Sequence, residues 1–236
     1  MTIVVAASPS SASHTLVRRL EKSYNTRFIS LKTGNGSGNL STSFNLRAGL
    51  LYSYQKIFFK ETIIYQHLFP TEYNLKYLDR YFNLEKVKFI ITYRNIFEII
   101  NNLQKWKDER KHTPLSFRSN FFEPYDNFES DKFGINIIDP ILIINFYAIW
   151  FKIFDKKLLR NILLVNYDEI VNQNKEILEK LENFLNKKII FDTKISDNIW
   201  PKKEYAIKQE LKDFIINYCE SFKDINFEKI GIKKNV

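Results

Sequence analysis

Apolar runs and helical stripes alternate along this chain. Ile3-Val4-Val5-Ala6-Ala7 is a short apolar run that ends in Ser8-Pro9-Ser10-Ser11-Ala12-Ser13, after which Leu16, Val17 and Leu20 recur at helical spacing beside Arg18 and Arg19. That order predicts a strand, a turn of small residues and a helix. Arg27 to Leu31 reads as a second strand, Leu46, Leu50, Leu51, Tyr54 and Ile57 as a helix stripe, and Thr62 to His67 as a further strand. A helix over Leu75 to Phe82 leads into Val87-Lys88-Phe89-Ile90-Ile91-Thr92-Tyr93, whose nearly continuous apolar character suits a strand covered on both faces. Ile99, Ile100, Leu103 and Trp106 then form one face of a helix running from Ile96 towards Lys111. Pro140 opens a helix through Phe154, Ile162 to Val165 is another buried strand, and Ile177, Leu178, Leu181, Phe184 and Leu185 mark an amphipathic helix. The C-terminal third is expected to be helical. Strands alternating with helices predict an α/β fold, a three-layer sandwich with a central parallel sheet flanked by helices.

Two stretches interrupt the pattern. Gly34-Asn35-Gly36-Ser37-Gly38 has the composition of an exposed loop, and from His112 to Gly134 periodicity gives way to a polar stretch carrying Phe117, Phe121, Phe122, Tyr125 and Phe128. Within one domain spanning 1–236, a long aperiodic insertion of this kind serves as a lid or an acceptor-binding loop.

Charge narrows the partner. Lys and Arg number 36 against 27 Asp and Glu, a formal +9 that points to an anion: a nucleotide, a nucleic acid or an anionic glycan. The single cysteine, Cys219, cannot form an internal disulfide, and no Cys/His cluster suggests a structural metal, which fits the reducing cytoplasm. No apolar run reaches the roughly 20 residues that span a bilayer, and Met1 leads into Thr2-Ile3-Val4-Val5 without a basic segment, so neither a membrane span nor a secretory leader is expected.

In an open parallel sheet the ligand sits beyond the carboxyl ends of the strands, which directs attention to three turns. After the first strand, Ser10, Ser11, Ala12, Ser13, His14 and Thr15 combine small side chains, hydroxyls and a helix start that could wrap a phosphate or sulfate. An ordinary Ser-rich helix cap would use the same residues. The two glycines and the Lys-Ser/Thr pair of a Walker motif are missing, which argues against ATP or GTP hydrolysis. Arg94 closes the strongest strand and can fork two donors onto phosphate, with Asn102 two helical turns beyond; the plain alternative is a solvated surface arginine. His67 ends the Ile63-Ile64-Tyr65-Gln66 strand at the same edge and has the neutral-range pKa that general-base work requires, although a lone histidine is also a common structural residue.

Taken in order, these segments resemble the sulfotransferases that use 3′-phosphoadenosine 5′-phosphosulfate. Ala7 to Leu16 resembles that family's first loop, Gly-x-Pro-Arg/Lys-Ser-Gly-Thr-Thr-x-Leu, and Lys88 to Asn95 resembles its 3′-phosphate strand ending in Arg-Asn/Asp-Pro, with Ile96 in place of the proline and Asn102 where the family has a serine. Ile63 to Pro70 is similar to the strand ending in Lys-Thr-His-Leu-Pro. Leu163-Leu164-Val165-Asn166-Tyr167-Asp168-Glu169-Ile170 and the helix ending Phe184-Leu185 resemble the Arg-Tyr-Glu-Asp-Leu strand end and its following helix, and serve as an order marker. The resemblance implies a P-loop-like nucleotide-binding topology, with His67 as the base that deprotonates an acceptor hydroxyl or amine. It also implies that Arg94 and Asn102 hold the 3′-phosphate, and that Ser10, Ser11, Ala12, Ser13, His14 and Thr15 surround the 5′-phosphosulfate. The partners so implied are this anionic nucleotide as co-substrate, with no metal, and a small-molecule or carbohydrate acceptor.

The chain departs from the family pattern at Ser10, which stands where a loop Arg or Lys offsets charge on the leaving phosphate; Arg18, Arg47 and Lys60 are candidate substitutes. Trp200-Pro201-Lys202-Lys203 keeps the aromatic and the charge of the family's closing loop without its glycine, so Lys202 and Lys203 are either phosphate contacts or a solvated helix start. The departures leave open a sulfotransferase-like nucleotide-binding protein with impaired catalysis. A basic nucleic-acid-binding module would also suit +9 and 16% aromatic residues, but the basic residues are interspersed with acidic ones, as in Lys105 to Arg110, and no nucleic acid is expected as partner.

Overall fold

The computed structural model describes residues 1–8, 13–26, 28–30, 57–58, 61–66, 70, 72–109, 140–190 and 207–233. Five strands, β1 (Thr2–Ala7), β2 (Phe28–Ser30), β3 (Thr62–Gln66), β4 (Val87–Tyr93) and β5 (Ile162–Asn166), form one sheet in the order β2-β3-β1-β4-β5. Every pairing is parallel. The helices are α1 (Ser13–Tyr24), α2 (Glu72–Phe82), α3 (Ile96–Glu109), α4 (Pro140–Asp155), α5 (Tyr167–Val171), α6 (Lys175–Leu185) and α7 (Gln209–Glu220).

Alternation along the strands sorts the side chains into two layers, because successive Cβ atoms point to opposite faces. From β1, Ile3 and Val5 pack with Leu16, Val17 and Leu20 of α1 and with Ile177, Leu181 and Leu185 of α6. Val4 and Ala6 face the other way, with Phe89 and Ile91 of β4, onto α2, α3, α4 and α7. Helices therefore cover both faces, which makes the three-layer α/β sandwich that the alternating pattern predicts. All six residues of β1 are buried, as its central position demands. Fully burying one such Val or Ile stabilises the fold by about 1.5–3 kcal/mol relative to leaving it in water. α4 is apolar on nearly every side and correspondingly sunk in the core: Tyr147, Trp150 and Phe151 are inaccessible, with Trp150 against Phe89 at 5.5 Å between ring centres and Tyr147 stacked on Phe151 at the same spacing.

Asparagine does much of the local punctuation. Asn166 caps α5 by accepting from the Asp168 N–H, Asn174 caps α6 by accepting from the Glu176 N–H, and Asn186 ends α6 in the left-handed conformation at φ 54°. These caps fix where β5 hands over to α5, and hence what stands at the end of that strand.

Among the described residues of the C-terminal third, α5, α6 and α7 meet the expectation of helix, which fails beyond Glu220. From Ser221 to Lys233 the chain forms turns and one short 3₁₀ segment, Glu228–Ile230. The cause is local: the Asn226 side chain accepts from the Glu228 N–H, making an Asx turn, and Gly231 adopts φ 86°. Ile225, Phe227, Ile230 and Ile232 nevertheless bury themselves in the layer formed by α2, α3, α4 and α7. The Gly34–Gly38 loop, the 112–134 insertion and the predicted helix stripe from Leu46 to Tyr54 lie outside the described residues.

Candidate functional site

β1 sits between β3 and β4, and the chain passes to β2 on one side of it and to β4 on the other. In open α/β sheets the carboxyl edge beside such a reversal is the usual ligand position. Ala6 is in register with Gln66 of β3 and Ile91 of β4, and Ala7 with Thr92. The three strand ends that carry the predicted chemistry are therefore adjacent and level.

At the end of β1, Ser8 is buried and its Oγ lies 2.5 Å from the Tyr147 hydroxyl of α4. Ser10, Ser11 and Ala12 lie outside the described residues. α1 resumes at Ser13, so Ser13, His14 and the half-buried Thr15 make up its first turn, where backbone N–H groups have no partner within the helix. The substitute cations diverge: Arg18 is exposed, while Arg47 and Lys60 lie outside the described residues. Its neighbour Arg19 is the buried one, donating from Nη1 to the Ile170 carbonyl of α5 at 2.8 Å and so tying α1 to α5.

At the end of β4, Arg94 is only 14% exposed. Its Nε donates to Glu98 Oε2 at 2.8 Å, its guanidinium carbon stands 4.3 Å over the Tyr167 ring, and Nη2 lies 3.9 Å from Asp168 Oδ1. Asn95 follows and caps α3, its Oδ1 accepting from the Phe97 N–H at 2.9 Å. Tyr93 precedes, edge-on to Phe151, and its hydroxyl is pushed to a higher pKa by burial and by the Glu169 charge, partly offset by a hydrogen bond with the Asn166 side chain. Asn102 is half-buried two turns along α3.

β3 ends at Gln66; His67 follows it in sequence and lies outside the described residues, as do Lys202 and Lys203. The described part of the site thus brings together the β1 end, the first turn of α1 and Arg94. It adds three residues to which the sequence motifs give no role: Glu98, Tyr167 and Asp168. Glu98 was legible as an i,i+4 partner of Arg94, whereas the stack on Tyr167 joins two strands and needed the sheet order. A cavity of about 230 Å³ opens at the opposite edge, lined by Leu84, Val87, Phe89, Leu159 and Arg160 among others. It is smaller than ordinary small-molecule pockets and lies at the amino ends of β4 and β5, away from these turns. Among the described residues no group of three or more His, Cys, Asp or Glu could hold a metal ion, and no helix is long and apolar enough to cross a membrane.

No protein-family model matches the sequence, and no curated protein matches it. The structure is similar to the crystal structure of a sulfotransferase from Alicyclobacillus acidocaldarius, with a TM-score of 0.51 over 93% of this chain and 91% of that one at 13% identity. The chain has a sulfotransferase-like fold. The sulfotransferase domain from the curacin biosynthetic pathway aligns with a TM-score of 0.48 over 82% of this chain and 75% of that domain at 11% identity. In the sulfotransferase-like fold of this chain, the polar clusters at the carboxyl edge stand on the strand ends that bear the family-like segments, so the fold and the motif order agree.

Proposed function

We propose that this protein is a sulfotransferase that moves a sulfuryl group from 3′-phosphoadenosine 5′-phosphosulfate to a hydroxyl or amine of a small-molecule or carbohydrate acceptor. One observation carries the reading: β3, β1 and β4 are neighbours in register, so the strand preceding His67, the strand preceding the Ser10–Thr15 loop and the strand preceding Arg94 end together. Three strands, each followed in sequence by a segment that resembles one family's machinery, end at one edge of a sulfotransferase-like fold, which supports the reading.

In this reading Arg94 and Asn102 bind the 3′-phosphate, and the first turn of α1 with the Ser10–Thr15 hydroxyls binds the 5′-phosphosulfate. The acceptor oxygen or nitrogen attacks sulfur while the bond from sulfur to the bridging phosphate oxygen breaks. The acceptor proton passes to His67, and adenosine 3′,5′-bisphosphate leaves. No metal enters the proposed reaction, and the 112–134 insertion supplies acceptor contacts. Ser10 in place of a cation favours a second reading, a protein that binds the nucleotide without turning it over, because a preorganised charge at a reacting anion contributes roughly 10²-fold or more in rate. A soluble, cytoplasmic setting suits the proposed donor.

Calorimetric titration with adenosine 3′,5′-bisphosphate, run beside ATP on the wild type and Arg94→Ala, tests the nucleotide site. Micromolar binding that ATP does not match and that Arg94→Ala weakens is expected. Absence of binding to the wild type would overturn both readings. Turnover with a panel of acceptors then separates them.

A further inference from the structure

The turn between β5 and α5 touches Arg94, a cation at the candidate phosphate site. Arg94 comes from the end of β4 and Tyr167 from the end of β5, which pairs with β4 in the sheet, Tyr93 being level with Asn166. The register places Tyr167 beside Arg94, and the guanidinium carbon lies 4.3 Å over its ring, well inside the range of a cation–π contact. Glu98, one helical turn on from Arg94, takes the Nε–H at 2.8 Å. Asp168 Oδ1, at 3.9 Å from Nη2, is beyond hydrogen-bond range and contributes charge without fixing geometry.

We infer that Tyr167 and Glu98 are positioning residues that preset Arg94 for a phosphate. An arginine side chain has four rotatable bonds whose freedom must be given up on binding an anion, and a guanidinium already fixed has less to lose. The stack on Tyr167 and the Nε–H bond to Glu98 fix the plane and one edge of the guanidinium, and bidentate recognition of phosphate reads a planar fork. The ring does what a second carboxylate in hydrogen-bond contact could not: it fixes the plane without adding a negative charge where a dianion must come. Burial strengthens the effect, since Arg94 is 14% exposed while the Glu98 and Asp168 side chains are about half in water, at 49% and 47%. The Asn166 side chain, accepting from the Asp168 N–H, holds the turn itself, so the position of Tyr167 is set within the fold.

This inference rests on the proposed function, and the test separates the two. Equilibrium affinities are measured for adenosine 3′,5′-bisphosphate and for adenosine 5′-monophosphate, and their ratio reports the 3′-phosphate contribution alone, because contacts to base, ribose and 5′-phosphate cancel. The wild type is expected to prefer the bisphosphate by at least tenfold, and Arg94→Ala to remove most of the preference. Tyr167→Leu is expected to cut the preference about fivefold and Tyr167→Phe, which keeps the ring, to restore it; Glu98→Gln is expected to lower it about threefold. If Tyr167→Leu does not fold, as judged by circular dichroism, the half-exposed Glu98→Gln carries the test. A wild type without preference would overturn the sulfotransferase reading. A wild-type preference that neither variant shifts would overturn the positioning role alone, and one that rises in Glu98→Gln would show that Glu98 competes with the anion instead.

Discussion

The hydroxyls of Ser8 and Tyr147, 139 positions apart in sequence, lie 2.5 Å from each other in the interior. Ser8 is the last described residue before the candidate anion loop, and Tyr147 sits in the middle of the most deeply buried helix, α4. The contact therefore ties the end of β1, from which the chain enters the Ser10–Thr15 segment, to a deeply buried helix of the core. Tyr147→Phe keeps the ring packing and removes one hydroxyl. It is expected to cost about 1–3 kcal/mol, because the buried Ser8 hydroxyl then loses one of its partners, which corresponds to about 2–12 °C in melting temperature for a protein of this size. Ser8→Ala combined with Tyr147→Phe should cost clearly less than the sum of the single variants in a thermal-denaturation cycle; strict additivity would deny the coupling.

Gly231 makes a second such link, from the C-terminal segment to the turn that presents Arg94. Its φ of 86° is strained for any residue with a Cβ, and a Cβ there would collide with the Asn95 side-chain amide, its Cγ lying at 2.8 Å from that position. Asn95 is at the same time the cap of α3. Gly231→Ala should therefore destabilise the protein by about 1–3 kcal/mol, from backbone strain and displacement of the cap together. Asn95→Ala, which clears the space, should recover part of the loss in the double variant. Equal melting temperatures for Gly231→Ala and the wild type would contradict this.

The strands were legible because β1 and β4 are covered on both faces and so read as unbroken apolar runs, and the helices because their stripes repeat every three to four residues. The end of the chain was not legible in the same way. Ile225, Phe227, Ile230 and Ile232 have spacings that suit a helix or a strand, and it is the Asx turn at Asn226 and the left-handed Gly231 that decide for neither. At the site, Arg94 stood out through its place at a strand end. The partners that hold it did not, since Tyr167 meets it only through the pairing of β4 with β5, a relation between segments some 70 residues apart. Likewise Arg19 resembles its exposed neighbour Arg18 in sequence, and only the packing of α1 on α5 tells them apart.

Two buried acids predict how stability responds to alkali. Burial, helped by the Glu220 charge, pushes the Cys219 thiol up to about 12 from an ordinary 9.0, and burial with the Glu61 charge pushes Tyr24 up to about 12 from 10.0. In both cases the folded pKa lies above the unfolded one, so between those values the native state holds protons that the unfolded state has released. Stability is then fully present below pH 9 and falls as pH rises, from Cys219 between about 9 and 12 and from Tyr24 between about 10 and 12. Denaturant midpoints should be level from pH 7 to 9 as far as these groups are concerned and should decline above it. Cys219→Ala should flatten the first part of that decline. The same burial makes the thiol inert, and labelling by a thiol reagent at pH 8 should proceed only after unfolding; rapid labelling of the native protein would place Cys219 at the surface.

The sharpest chemical test concerns the cation missing from the first loop. The family's loop Arg or Lys stands where this chain has Ser10, and among the described residues the neighbouring Arg18 is exposed while Arg19 is committed to the Ile170 carbonyl. If the proposed function is correct, charge accumulating on the departing 5′-phosphate is met mainly by the N–H groups at the start of α1, which is weaker stabilisation than a full cation gives. Ser10→Lys should then raise the rate constant for sulfuryl transfer, by up to about 10²-fold, while changing the affinity for adenosine 3′,5′-bisphosphate much less. His67→Ala should lower the same rate constant by roughly 10²–10⁴-fold in either background, because it removes the base and not the anion site. A Ser10→Lys gain that persists in proportion in the His67→Ala background would give the two residues separate roles in one reaction. Turnover that survives His67→Ala undiminished would remove His67 from the mechanism, and a Ser10→Lys variant that binds the bisphosphate yet gains no rate would show that another group already supplies the charge.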